Sequence, residues 1–117
     1  MLTIGSTVWG VQDVPRGIEF WSAALDYEPL YEPDVDWAIL VPRDGEEGPQ
    51  LAISLVHDDA SDRRRHHLDL YADDQADEVQ RLLALGAQEV PEWRYPDDAD
   101  YVVLADPDGN RFCVVQK

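Results

Sequence analysis

The sequence predicts an α+β fold made of two copies of a βαβββ module, one after the other in a single domain. Three observations predict it. Two amphipathic helical patterns are each opened by an aspartate, two strand-and-glycine-turn segments follow at matching places, and short strands flank both sets. Asp13 and Asp74, which open the helices, stand 61 positions apart, and Gly45 and Gly109, which close the turns, stand 64 apart. Agreement of cap, helix, strand and turn in one order is harder to produce by chance than likeness between two short segments.

The first module spans about residues 1–60 and begins with a strand in LTIGSTVWGV. Asp13 then caps a helix with Pro15 in its first turn, and Ile18, Trp21, Ala24 and Leu25 are expected on one face. After a short extended segment, DWAILVPRDG (36–45) reads as a strand running into a turn. An acidic hairpin, Glu46 to Pro49, leads to a last strand, QLAISLV (50–56). Arg63 to Arg65, set against Asp58, Asp59 and Asp62, read as a self-compensating linker.

The second module, about residues 64–117, repeats the pattern. HHLDLYA is its first strand and Asp74 its helix cap, Val79, Leu82 and Leu83 form the apolar stripe, and Gly86 is the left-handed stop. DYVVLADPDG (100–109) and NRFCVVQ (110–116) are the closing strands.

Composition bounds what such a chain can do. Its 117 residues suffice to bury about two thirds of the surface that the unfolded chain exposes. Hydrophobic residues at 44% make a packed core expected despite 29% charged residues. With 25 acidic side chains against 9 basic ones and a formal charge of −16, the surface repels a phosphate backbone, so nucleic acid is not an expected partner. The N-terminal segment has no basic region and its apolar run is broken by Gly5, Ser6, Thr7 and Gly10, which argues against a signal peptide or membrane span. A single cysteine, Cys113, excludes an internal disulfide, and a cytoplasmic location is the expectation.

Adjacent strand residues point to opposite faces, so His66 and His67 cannot grip one ion together. His67, Asp69 and Tyr71 share one face, and Leu68 and Leu70 share the other, where they are expected to meet a helix. His66 is read as a surface residue without a role. Trp9, Trp37, Tyr71, Trp93, Tyr95 and Tyr101 are the aromatic candidates for a cavity wall. Trp37 and Trp93 stand out because they flank acidic, proline-bearing loops that suit a roof over a flat or cationic molecule. Arg111 shares the face of Cys113 and is expected to pair with Asp69, a ligand carboxylate being the other option.

The segments DVPRGIEFWSAALDYE, RHHLDLYADD and LADPDGNRFCVV resemble the vicinal oxygen chelate superfamily, and the resemblance extends over almost the whole chain. The likeness is to its small glyoxalase-like and bleomycin-resistance-like members. The resemblance implies that the modules form a concave mixed sheet around a cavity, with helices on the convex side, and that the chain is a homodimer. In metal-dependent relatives, first and last strands of each module supply four ligands, typically His, Gln or Glu. Those positions fall on Ser6, Ser54, His67 and Cys113 in this chain, and His67 alone keeps a familiar ligand.

Serine hydroxyls are poor substitutes for imidazole or carboxylate, so neither a metal nor another cofactor is expected. The first functional expectation is a cavity that binds a small organic, cationic or aromatic ligand through Ser6, Trp37, Ser54, Asp69, Tyr71, Trp93 and Arg111. The second is a glyoxalase-type lyase or isomerase with His67 as metal ligand or general base, assisted by Asp69 or by Cys113 as a histidine-activated thiol. The third is a structural domain with a closed cavity.

Overall fold

The computed structural model describes residues 1–56 and 66–117. His57 and the Arg63 to Arg65 linker lie outside the described residues. The described residues form eight strands and two α-helices: β1 (Leu2–Val11), α1 (Val14–Leu25), β2 (Tyr27–Pro29), β3 (Trp37–Pro42), β4 (Gln50–Leu55), β5 (His66–Ala72), α2 (Gln75–Leu85), β6 (Gln88–Glu89), β7 (Tyr101–Ala105) and β8 (Arg111–Gln116). The expected α+β order, βαβββ twice, is therefore present. Residues group into two compact units, Ser6–His66 and Met1–Gly5 with His67–Lys117.

In the unit Ser6–His66 the strand order is β2-β3-β4-β1, with β4 and β1 parallel and the other pairs antiparallel. The outermost strand, β2, has three residues and ends at Pro29, which cannot donate to a further ladder and so blunts the edge. Helix α1 starts where predicted, because the Asp13 carboxylate accepts the Arg16 backbone N–H at 3.0 Å. It stops at Asp26, a non-glycine residue in the left-handed region at φ 58°, whose N–H donates to the Ser22 carbonyl. Aspartate tolerates that conformation better than most side chains.

The buried face of α1 carries Val14, Gly17, Ile18 and Trp21, packed on Ala38, Leu40 and Ile53. The predicted stripe is thus displaced by one turn toward the N-terminus, and Ala24 and Leu25 are exposed. Gly17 explains the shift. A Cβ there would approach Val11 Cγ1 to 3.3 Å and Ile53 Cγ2 to 3.5 Å, so the bare backbone lets the first turns press on the sheet.

In the other unit the order is β5-β8-β7-β6, with β5 and β8 parallel and the rest antiparallel. Asp74 caps α2 by accepting the Asp77 N–H at 3.1 Å, and Asp77 and Glu78 place negative charge in the first turn, where the helix dipole favours it. Gly86 ends the helix at φ 115° and donates to the carbonyls of Leu82 and Leu83, as predicted. Val79, Leu82 and Leu83 cover Ala72, Leu104 and Val114, with Leu2 and Phe112 at the margin. Leu68 departs from expectation: it is 40% exposed, and Ala72 is the β5 residue buried beneath α2.

Two glutamines fasten this module. Gln75 donates through its amide to the carbonyls of Asp100 and Val114 at 2.9 and 2.8 Å, and Gln116 donates to the Asp73 carbonyl at 2.7 Å. The β7–β8 turn is closed by Asp106, whose carboxylate accepts the Asn110 side-chain and backbone N–H and the Asp108 N–H. These bonds, led by that from the Asn110 side chain, hold its carboxyl below the usual range. Gly109, at φ +87°, supplies the left-handed residue that the turn needs.

Candidate functional site

Strand alternation decides which side chains can share a site. Trp9, Val11, Ala38, Leu40 and Ile53 face α1, so Ser6, Trp37, Ile39, Gln50, Ala52 and Ser54 point to the opposite side of their sheet. The ladder pairs Ser6 with Gln50, Val8 with Ala52, and Trp37 with Ser54. Ser6 is almost fully buried and its hydroxyl has no hydrogen-bond partner among the described residues. Trp37 is anchored by donating its indole N–H to the Tyr31 hydroxyl at 3.1 Å. Trp9 belongs to the core beneath α1 and is not among the residues pointing away from it.

The same sorting in the second unit puts His67, Asp69 and Tyr71 on one face of β5, with Arg111 and Cys113 beside them on β8. Asp69 and Cys113 are register partners. His67 Nε2 lies 3.3 Å from Asp69 Oδ1, and ligand atoms of His67, Asp69 and Cys113 all fall within 4.8 Å of one another. Sequence reasoning put His67 and Asp69 on one face, and the resemblance brought Cys113 near His67, but neither foresaw that Asp69 would bond with both.

Asp69 changes what Cys113 can do. Burial, followed by the charge of Asp69 and the hydrogen bond that the thiol donates to it, pushes the Cys113 pKa from 9.0 up to about 12. At pH 7 only about one thiol in 10⁵ would be ionised. An imidazole-activated thiolate is therefore opposed by the Asp69 carboxylate.

Arg111 does not pair with Asp69 as expected. Its Nη2 lies 2.6 Å from Glu92 Oε2, an acidic residue in the loop before β7. Trp93, next to that glutamate, is 39% exposed, and Tyr95 is anchored by accepting the Val103 N–H at 2.8 Å. Tyr71 rests against Gly5, where any Cβ would strike the ring, and Lys117 Nζ sits 4.5 Å from the ring centroid.

The registers also revise one inherited position. The pairing of Val8 with Ala52 is the counterpart of Asp69 with Cys113, so the first-module equivalent of Cys113 is Ala52, two residues before Ser54. Alanine offers no ligand atom, and its ladder neighbour toward Ser6 is Gln50, the counterpart of Arg111. Gln50 escaped the sequence reading, although the 61-residue repeat that led from Ser6 to His67 also leads from Gln50 to Arg111. His66 is exposed, as expected, but it is not without contacts. Its ring stacks on Trp9 at 3.7 Å between centroids, 3° from parallel, and its Nδ1 accepts the Gly10 N–H at 3.2 Å.

Residues 6–115 match the family model described as a glyoxalase-like domain. The chain belongs to the glyoxalase-like domain family, within the vicinal oxygen chelate superfamily. Solved structures agree on the fold of this glyoxalase-like protein. A superfamily member from Vibrio splendidus 12B01, described as glyoxalase/bleomycin resistance protein/dioxygenase, aligns with 100% of each chain at TM-score 0.67 and 14% identity. The methylmalonyl-CoA epimerase of Mycobacterium tuberculosis has TM-score 0.68 at 17% identity, over 97% of this chain and 87% of its own. A Legionella pneumophila protein described as an NAD-dependent benzaldehyde dehydrogenase has TM-score 0.65 at 19% identity, over 94% and 96%. Comparison with curated proteins gives no match. Among the described residues no helix is long and apolar enough to cross a membrane.

The four-ligand metal centre of the superfamily fits this chain poorly. In the first module its positions hold a serine hydroxyl and, by register, an alanine methyl. Neither replaces an imidazole or carboxylate. The donors that do converge, His67, Asp69 and Cys113, belong to the second module alone.

Proposed function

We propose that this glyoxalase-like protein binds a small organic cation with aromatic character on the sheet face that carries His67, Asp69 and Tyr71, without the four-ligand centre of its metal-dependent relatives. The observation that carries this reading is the alignment of an imidazole, a carboxylate and a phenol ring on one face of β5. Each offers a different recognition element: a hydrogen-bonding ring, a negative charge and a π-surface. Lys117 over Tyr71 illustrates that this ring already attracts a positive charge, and the net charge of −16 favours approach of cations. Trp93, in the same unit, supplies further ring surface. Arg111 is already paired with Glu92.

A thermal-shift titration with benzyltrimethylammonium tests the proposal. The expected result is a rise in Tm that grows with concentration and is lost in His67→Ala and Asp69→Asn. No shift at millimolar ligand, or one equal in both variants, overturns it.

One observation favours a second reading, a lyase or isomerase of the glyoxalase type: three different metal-ligand side chains lie within 4.8 Å. There His67, Asp69 and Cys113 would hold a divalent cation, which supplies polarisation of a carbonyl oxygen. The pKa of Cys113 near 12 opposes this arrangement, since a thiol must lose its proton to ligate. Elemental analysis of protein dialysed against zinc separates the readings. About one equivalent of metal, absent in His67→Ala, favours the lyase; substoichiometric metal unchanged by the mutation favours the binding protein.

A further inference from the structure

A hollow lies on the side of the sheet opposite Ser54 and Trp37, against α1 and wholly within the unit Ser6–His66. Its volume is about 410 Å³, in the range of small-molecule sites. Trp9, Trp21, Phe20 and His66 supply ring surface, and Arg16 and Asp13 stand among the lining residues. Rings meet here in an ordered way. His66 stacks in parallel on Trp9, Trp21 meets Trp9 edge-on with centroids 6.0 Å apart, and Phe20 meets Trp21 edge-on at 5.0 Å while remaining 60% exposed. The exposed Phe20 ring beside the stack offers a surface on which a flat ligand can lie.

The polar groups give the occupant its sign. The Gly10 N–H occupies His66 Nδ1, so in the neutral ring the proton sits on Nε2, which becomes a donor. Arg16, like Arg94, has no ion pair among the described residues, whereas Arg43, Arg81 and Arg111 each have a carboxylate partner. The nearest acid in sequence, Asp13, spends one carboxylate oxygen on the Arg16 backbone N–H as the helix cap. Its remaining charge disfavours a dianion on the same rim. One guanidinium, one imidazole N–H and a set of rings match a planar monoanion.

We infer that the hollow formed by Trp9, His66, Phe20, Trp21 and Arg16 is a binding site for a planar aromatic carboxylate, separate from the His67 face. The aromatic part covers the exposed rings and the carboxylate meets Arg16 and His66 Nε2. His66 thereby gains a role that its neighbour His67 does not share, since the two point to opposite faces of β5.

Titration of isotope-labelled full-length protein with 1-naphthoate, followed by amide and indole NMR signals, tests this. Saturable shifts of the Gly10 amide and the Trp9 indole N–H are expected. Arg16→Gln, at an exposed position, should weaken binding about tenfold or more, as should replacing the ligand by 1-naphthylmethylammonium. His66→Ala should abolish the Gly10 response. His67→Ala should leave the affinity unchanged, which keeps this site distinct from the proposed function. Equal binding of the ammonium analogue, unchanged affinity in Arg16→Gln, no saturable shift at Gly10, or loss of binding in His67→Ala would each overturn the inference.

Discussion

The two modules repeat one order of elements and differ most on the sheet faces turned away from their helices. In the first, the register positions that matter hold Ser6, Ala52 and Ser54; in the second, their counterparts hold His67, Cys113 and Val115. Helix-side positions stay apolar in both, with Ala38, Leu40 and Ile53 beneath α1 and Ala72, Leu104 and Val114 beneath α2. A duplicated scaffold must bury the same stripe in each copy or the copy does not fold. No such constraint holds chemical groups in both copies, so titratable side chains concentrate in the second.

The largest expected effect probes the shared half of this comparison. Leu40→Ala and Leu104→Ala remove fully buried side chains, one from each module, and each should lower stability by about 3 kcal/mol in urea unfolding. A much smaller loss for one would mean that its core is looser than its burial indicates. Gly5→Ala comes next. Its new methyl strikes the Tyr71 ring, and a cost of about 1–3 kcal/mol is expected, with a displaced Tyr71 signal by NMR.

The third prediction tests the part that differs. Cys113 has a folded pKa raised from 9.0 to about 12, so its contribution to stability is complete below pH 9 and falls away as pH rises through about 12, because the unfolded thiol ionises first. Denaturation across this window should lose part of its slope in Cys113→Ala. In Asp69→Asn the midpoint for Cys113 alkylation should fall, since a carboxylate that disfavours the thiolate has been neutralised. An unchanged midpoint would mean that burial alone sets it.

Smaller effects return to the common ground. Asp13→Ala and Asp74→Ala should each cost about 1 kcal/mol by removing an N-cap, and similar values would confirm that the repeated aspartates do the same work. Least of all, Arg81→Ala should leave the urea midpoint unchanged within error, because the Arg81 guanidinium is exposed and its bond to Glu78 is screened by water.

Helix starts, the Gly86 stop and the Gly109 turn were legible in the sequence because each depends on groups a few residues apart. The end of α1 was not, since Asp26 adopts a left-handed conformation without the glycine that usually announces it. The face shared by His67, Asp69 and Tyr71 was legible through the two-residue strand period. The partner of Arg111 was not: Glu92 lies 19 positions away in a loop whose path no local pattern specifies. For the same reason His66, 57 positions from Trp9, looked like a bystander.

What the sequence by itself determined is the duplicated order of strands and helices, its caps and turns, and which residues alternate onto a common face. These follow from short-range backbone chemistry and from the periods of helix and strand. Only the tertiary structure decided that Asp69 stands against the thiol and raises its pKa, that Glu92 takes Arg111, and that His66 lies flat on Trp9. Parallel pairing joins strands that are far apart in the chain, and its register is set by how whole faces pack.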